Sequence, residues 1–261
     1  MKFPGKGVIW RGDCLEVMPR IPDHSVHLVC ADLPYGTTAQ DWDTVINFEM
    51  LWEELKRIIT QNGVLVFTAT GMFAAKLALS NPDWFKYDLV WQKTKASGFT
   101  NVRVHPLRTH EWVLVFSPGS CANRARNPMT YNPQGTRRVN RVVSGANKDG
   151  KGSHGLERKS HLKSRVQELT DYPKSVITIR SQSKTEHGTQ KPVALMEYLI
   201  RTYSNPGETV LDPTIGSGTT AIAAVNSGRK FIGIEQDQDI YELACRRVER
   251  RLQRADFGIT Q

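Results

Sequence analysis

The chain has 261 residues and a mass of 29.4 kDa, room for one large α/β domain or two small ones. With 39% hydrophobic and 23% charged residues it is too balanced for a disordered chain, and a mean hydropathy of −0.42 without a long uncharged apolar run argues against a membrane span. Lys and Arg outnumber Asp and Glu by 35 to 26, a net charge of +9 that favours a polyanionic partner, nucleic acid above all.

Taken in chain order, the segment MKFPGKGVIWRGD lacks the apolar stretch and small-residue cleavage site of a signal peptide, so a cytoplasmic location is expected. Residues 26–31, Val-His-Leu-Val-Cys-Ala, predict a short strand buried on both faces. Phe48, Leu51, Trp52, Leu55, Ile58 and Ile59 recur at helical spacing and predict a helix from Asn47 to a stop at Asn62-Gly63. Strands are expected at 64–67, 87–91 and 112–116, the last closed by Ser117-Pro118-Gly119. Later come a helix from Pro192 with Leu195, Met196, Leu199, Ile200 and Tyr203 as its stripe, a strand at 209–211, a helix from Gly218, a strand at 230–234, and an amphipathic helix to Arg254. This alternation predicts an α/β fold with a mainly parallel, helix-covered sheet. Cys14, Cys30, Cys121 and Cys245 form no C-x-x-C pair, so reduced thiols and no metal are expected.

The charge is unevenly spread. Residues 120–185 hold 14 Lys or Arg against four Asp or Glu, a net +10, whereas the rest of the chain nets −1. Asn-Pro at 127–128 and 132–133, and glycines at 135, 145, 150, 152 and 155, mark this segment as an irregular, loop-rich insertion. Three parts are therefore expected: 1–119, the basic insertion 120–185, and 186–261. A solvated linker is the plain alternative for the middle part.

Two motifs carry chemistry. Asp212-Pro213-Thr214-Ile215-Gly216-Ser217-Gly218-Thr219-Thr220 lies between a strand and a helix; its glycines permit a sharp turn close to a ligand, and the helix start offers free N–H donors. Glu235, at the tip of the next strand, stands where α/β nucleotide sites grip ribose hydroxyls. The loop alone indicates an adenosine-containing cofactor and does not choose between NAD and S-adenosylmethionine. The second motif, Asp32-Leu33-Pro34-Tyr35, offers a carboxylate, a backbone carbonyl fixed by the following proline, and an aromatic face. Those groups suit a planar ring bearing an exocyclic amine, although the tetrapeptide is equally a sensible turn.

Together these residues resemble the amino-group DNA methyltransferases, which methylate adenine N6 or cytosine N4. Asp32 to Tyr35 match the family's Asp-Pro-Pro-Tyr, Asp212 to Thr220 its cofactor loop, Thr189-Gln190-Lys191-Pro192 the stretch before that loop, and Gly12-Asp13 its acid beside the cofactor adenine. The catalytic motif precedes the cofactor loop, the order of the family's beta group. The resemblance implies a Rossmann-like fold, S-adenosylmethionine as cofactor, and double-stranded DNA as partner. It implies a catalytic group of Asp32, Leu33, Pro34 and Tyr35, and a cofactor site of Asp13, Lys191, Asp212, Gly216, Ser217, Gly218, Thr219, Thr220 and Glu235. It also places target recognition in residues 120–185, with Arg137, Arg138, Arg141, Lys163 and Arg165 as DNA contacts. Leu33 and Thr214 depart from the pattern: Leu33 keeps the carbonyl with a less rigid loop, and Thr214 removes an apolar wall from the cofactor pocket.

The implied reaction is methylation of adenine N6 after the base is extruded from the duplex. Adenine is preferred because the family's cytosine enzymes usually carry serine at the position of Asp32. Cytosine N4 methylation, an NAD-dependent oxidoreductase and a non-enzymatic DNA-binding protein remain as alternatives. The Arg246, Arg247, Arg250, Arg251 and Arg254 cluster reads as a solvated helix face, with a face toward DNA or toward a second subunit of a homodimer left open.

Overall fold

The computed structural model describes residues 1–36, 44–143, 164–181 and 190–256. Its elements are β1 (Lys2–Phe3), β2 (Gly7–Arg11), α1 (Cys14–Val17), β3 (Val26–Asp32), α2 (Phe48–Ile58), β4 (Ile59–Ala69), α3 (Gly71–Ser80), β5 (Phe85–Ser97) and β6 (Arg108–Phe116). They continue as β7 (Arg137–Val143), β8 (Arg165–Thr170), β9 (Val176–Ile179), α4 (Val193–Tyr203), β10 (Thr209–Asp212), α5 (Thr219–Asn226), β11 (Lys230–Glu235) and α6 (Gln238–Asp256). The chain divides into a larger unit, Met1–Asn132 with Ser175–Gln261, and a smaller one, Pro133–Lys174.

In the larger unit one sheet runs β1-β2-β11-β10-β3-β4-β6-β5-β9. Its centre, from β2 to β4, is parallel, while β6 is antiparallel to both β4 and β5. The period of two along each strand sends alternate residues to two separate cores. Leu28, Cys30, Val64 and Val66 join Leu195, Leu199 and Tyr203 of α4 and Ala221 to Ala224 of α5 on one side. Val29, Ala31, Leu65 and Phe67 join Leu51, Leu55 and Ile58 of α2 and Phe73 and Leu77 of α3 on the other. Both faces are thus covered, as the alternation of elements predicts, in the Rossmann-like arrangement that the resemblance implies.

The topology fixes where a ligand can sit. From β3 the chain crosses through α2 to β4, and from β10 through α5 to β11, in opposite directions along the sheet. β3 and β10 are neighbours, paired Val210↔Leu28 and Leu211↔Val29. Their carboxyl ends therefore flank the switch point, where open α/β sheets hold ligands.

Three local features differ from expectation. Helix α2 starts with Asn47 as its cap, the side chain accepting from the Met50 amide at 3.2 Å, but it ends at Ile58 rather than Asn62-Gly63. Ile59 is already extended and pairs with Val26, so β-branched residues and sheet pairing override the helical spacing. Helix α3 is an added element: GMFAAKLALS is apolar nearly all round, which hides its period, and it buries Phe73, Ala74 and Leu77 while Met72 and Leu79 stay exposed. The short β1 and β2 give too little sequence to show a pattern.

The smaller unit contains strands where loops were expected. β7 and β8 pair antiparallel from Arg137↔Thr170 to Val143↔Arg165, with an irregularity between Arg138 and Arg141 at Asn140, whose φ is +45°. Arg137, Arg138 and Arg141 are exposed. Arg137 Nε lies 3.1 Å from Asp171 Oδ2, and Arg141 Nε donates to Gln167 Oε1 at 2.9 Å. Among the described residues no helix is long and apolar enough to cross a membrane, and no group of His, Cys, Asp or Glu could hold a metal ion.

Candidate active site

A cavity of about 900 Å³ opens at the switch point, and both motifs line it. Its two halves are held in different ways.

The glycine loop is organised by backbone groups. Gly216 and Gly218 adopt φ of +53° and +84°, and a Cβ on Gly218 would stand 3.2 Å from Ala244 of α6, so only glycine fits there without displacing the helix. The Glu235 carboxylate accepts from the Gly216 amide at 3.0 Å and the Asp237 amide at 2.9 Å, and its backbone carbonyl accepts from Gly12 at 2.9 Å. One residue at the end of β11 thereby ties the loop to the Gly12-Asp13 turn. Burial pushes the Glu235 carboxyl above its ordinary range, opposed by these amides. Asp13 caps α1, accepting from the Leu15 amide at 2.7 Å. Ser217 is held from α6 by the buried Arg247, which donates to its hydroxyl at 2.8 Å and also to its carbonyl. Asp212 accepts from the Thr214 amide at 3.1 Å and from Thr220, yet burial pushes its carboxyl up to about 7. Thr219 lines the cavity, and its buried hydroxyl has no partner among the described residues.

The other half is organised by side chains. Asp32, at the end of β3, uses both carboxylate oxygens. Oδ1 accepts from Tyr35 Oη at 2.6 Å and from Thr68 Oγ1 of β4 at 2.5 Å. Oδ2 lies 2.8 Å from Lys191 Nζ. The same ammonium is 3.1 Å from Glu111 Oε2 on β6, and Glu111 Oε1 is 2.5 Å from Lys93 Nζ on β5. Two carboxylates and two ammonium groups thus alternate along the cavity wall. Burial opposes charge on Glu111, but Lys191 and Lys93 outweigh it and hold the carboxyl below its ordinary range. Burial likewise opposes the Lys191 charge, and Asp32 and Glu111 outweigh it and raise that group.

Leu33 is 3% exposed and belongs to the core that contains α2 and α3, so the residue that departs from the family pattern is buried at the end of β3 and anchors the loop it was expected to loosen. Tyr35 packs on Phe73 with ring centroids 4.8 Å apart. Thr214 likewise contributes to the site, since its hydroxyl donates to the Asp32 carbonyl at 3.2 Å and bridges the two loops directly.

Asp32 to Tyr35, Asp13, Lys191 and the residues of the 212–220 loop thus converge on one sheet edge, with the Lys191 ammonium against Asp32. Arg137, Arg138 and Arg141 lie on β7 and Arg165 begins β8, within the smaller unit; Lys163 lies outside the described residues, as does Thr189 of the Thr-Gln-Lys-Pro stretch. Glu111, Lys93 and Thr68 were not singled out in the sequence. The one available signal was an acid, Glu111, directly before the apolar strand run at 112–116.

A family model for DNA methylases matches residues 26–246. The type II methyltransferase M.HinfI of Haemophilus influenzae is 27% identical over 272 residues, spanning 92% of this chain and 67% of that protein. The type II methyltransferase M2.LlaDCHI of Lactococcus lactis subsp. cremoris is 24% identical and spans 93% and 89%. Among solved structures, the M1.HpyAVI–SAM complex superposes with a TM-score of 0.61 at 22% identity, covering 92% of this chain and 99% of that one.

Proposed function

The chain belongs to the amino-group DNA methylase family, and from that premise we propose that it transfers a methyl group from S-adenosylmethionine to the N6 amine of adenine in double-stranded DNA. The observation that carries this reading is the hydrogen bond from the Thr214 hydroxyl to the Asp32 backbone carbonyl at the switch point, which ties a cofactor-type glycine loop to the residue whose carboxylate would accept the amine, in one cavity.

The residues present fit the cofactor. The cavity is of small-molecule size, the glycine loop offers amides at the start of α5, and the buried Thr219 hydroxyl awaits a polar partner. Asp13, Asp212, Glu235 and Gly216 to Thr220 would hold it. When bound, it supplies an electrophilic methyl group.

The protein's own work is to bind and orient the amine. Asp32 Oδ2 and the Leu33 carbonyl accept the two amine hydrogens and turn the nitrogen lone pair toward the glycine loop, with Pro34 fixing the carbonyl. Tyr35, backed by Phe73, offers an aromatic face to the extruded ring. Asp32 Oδ2 takes the proton that the nitrogen releases, and Lys191 and Glu111 hold that carboxylate in place. Much of the acceleration comes from alignment. The carboxylate at position 32 supports adenine as the base.

Residues 120–185, with Pro133–Lys174 as their compact part, form the target-recognition region between the catalytic parts 1–119 and 186–261. Arg137, Arg138, Arg141, Lys163 and Arg165 are its DNA contacts. Arginine serves both phosphates and guanine edges, so binding should weaken steeply with salt.

Expression in a methylation-free host followed by genome-wide mapping of modified bases tests the reading. N6-methyladenine at one recurring sequence is expected. N4-methylcytosine would overturn the choice of base, and an unmodified genome the activity.

A further inference from the structure

The tip of the β5–β6 hairpin combines exposed apolar side chains with an acid-free, basic sequence. After Gln92 pairs with His110 the β5–β6 register shifts, and Ser97 meets Arg108 before the hairpin closes through residues 98–107. Gly98, at φ +90°, turns the chain into a single 3-10 turn, Phe99–Asn101. Spacing of three residues in such a turn places Phe99 and Val102 on one side. Phe99 is 65%, Val102 52% and Val104 81% exposed. The tip is nevertheless built: the amides of Asn101, Val102 and Val104 donate to the carbonyls of Gly98, Phe99 and Asn101 at 3.1, 3.4 and 3.0 Å. Three exposed apolar side chains within six residues of one hydrogen-bonded turn offer a contact surface.

The surroundings indicate which partner. From Lys93 to His110 there is no Asp or Glu, whereas Lys93, Lys95, Arg103 and Arg108 are basic. Lys95, Ser97 and Arg108 at the base of the tip line the cavity that holds Asp32. A second copy meeting this face about a twofold axis would set like charges against like charges. A polyanion with an apolar interior, stacked bases between phosphates, matches both properties.

We propose that the tip is a DNA wedge: Phe99 and Val102 enter the base stack beside the target nucleotide while Lys95, Arg103 and Arg108 grip the flanking phosphates. The inference rests on the methyltransferase reading and adds the device that opens the duplex. Extruding a base sacrifices stacking and pairing, and apolar side chains inserted at a base step offset part of that loss.

The test compares wild type with a Phe99→Ala/Val102→Ala double variant, whose changes lie on the surface. The probes are an oligonucleotide duplex carrying the mapped recognition sequence and the same duplex with the base opposite the target removed. The variant should lose about tenfold in kcat on the matched duplex, recover on the abasic one, and keep its affinity for S-adenosylmethionine. Equal rates for both proteins on both duplexes would overturn the wedge. So would a wild-type dimer that becomes a monomer in the variant, since the patch would then belong to a second copy. If wild type methylates no DNA, the functional reading fails, and a Phe99→Trp variant titrated with random-sequence duplex decides the wedge alone. Quenching of the new indole supports it, and an unchanged spectrum overturns it.

Discussion

The two loops at the switch point are built on opposite principles. The glycine loop is a local device: Asp212 to Glu235 is one strand–loop–helix–strand passage, and its main tie joins Gly216 to Glu235, 19 residues apart. The Asp32 loop is assembled from a distance, by Thr68 from the next strand, Glu111 from a hairpin, Lys191 from before α4 and Thr214 from 182 residues away. The cofactor side thus owes its shape to backbone conformation. The chemical side owes its shape to charge balance, and substitutions should separate the two.

The largest effect is expected on the backbone side. Gly218→Val demands a left-handed conformation that valine resists and drives its Cβ toward Ala244, so calorimetry should find affinity for S-adenosylmethionine lowered by about 100-fold or more. Unchanged affinity would place the cofactor elsewhere. On the charge side, Lys191→Met should lower methyl transfer by about 50-fold while cofactor affinity stays within about twofold, with Lys191→Arg restoring part of the rate. A weakened cofactor Kd with kcat retained would return Lys191 to the cofactor side.

Asp212 gives a pH test of the same contrast. Its carboxyl lies at about 7 in the folded chain, against about 3.9 when unfolded. Between those values the folded state binds more protons, so cofactor-free protein should lose stability as pH rises from about 4 to 7, by up to about 4 kcal/mol. Asp212→Asn should flatten that slope in urea denaturation; an equal slope in both proteins would remove Asp212 as its source. The smallest change is Thr214→Val, which removes one hydrogen bond of about 1 kcal/mol and should lower kcat about fivefold, with Thr214→Ser close to wild type. An unaltered rate would show that the bridge does not position Asp32.

The same contrast explains what could be read in the sequence. The strand–loop–helix around Gly216 and the acid at Glu235 are contiguous signals, because backbone turns and strand ends leave local residue preferences. Asp32 to Tyr35 were legible as a motif, but their supports were not, since strand pairing brings Thr68 to Asp32 and places Glu111 and Lys93 to act on it only through Lys191. Thr214 read as a loss because a single position shows what is absent, not what a hydroxyl can reach. Helix α3 escaped for a different reason, its uniform apolarity leaving no period to detect. The charge of +9 read as a general preference for nucleic acid; residues 120–185 carry a net +10, and the remainder, net −1, still contains one acid-free basic stretch from Lys93 to His110.

The central claim is that Asp32 accepts the target amine in a cavity whose cofactor half stands independently of it. Transfer of labelled methyl from S-adenosylmethionine to unmethylated DNA, measured for wild type and Asp32→Ala alongside cofactor affinity, tests it most directly. Transfer lost by about 100-fold or more with affinity unchanged is the predicted result. Undiminished transfer in Asp32→Ala would contradict it.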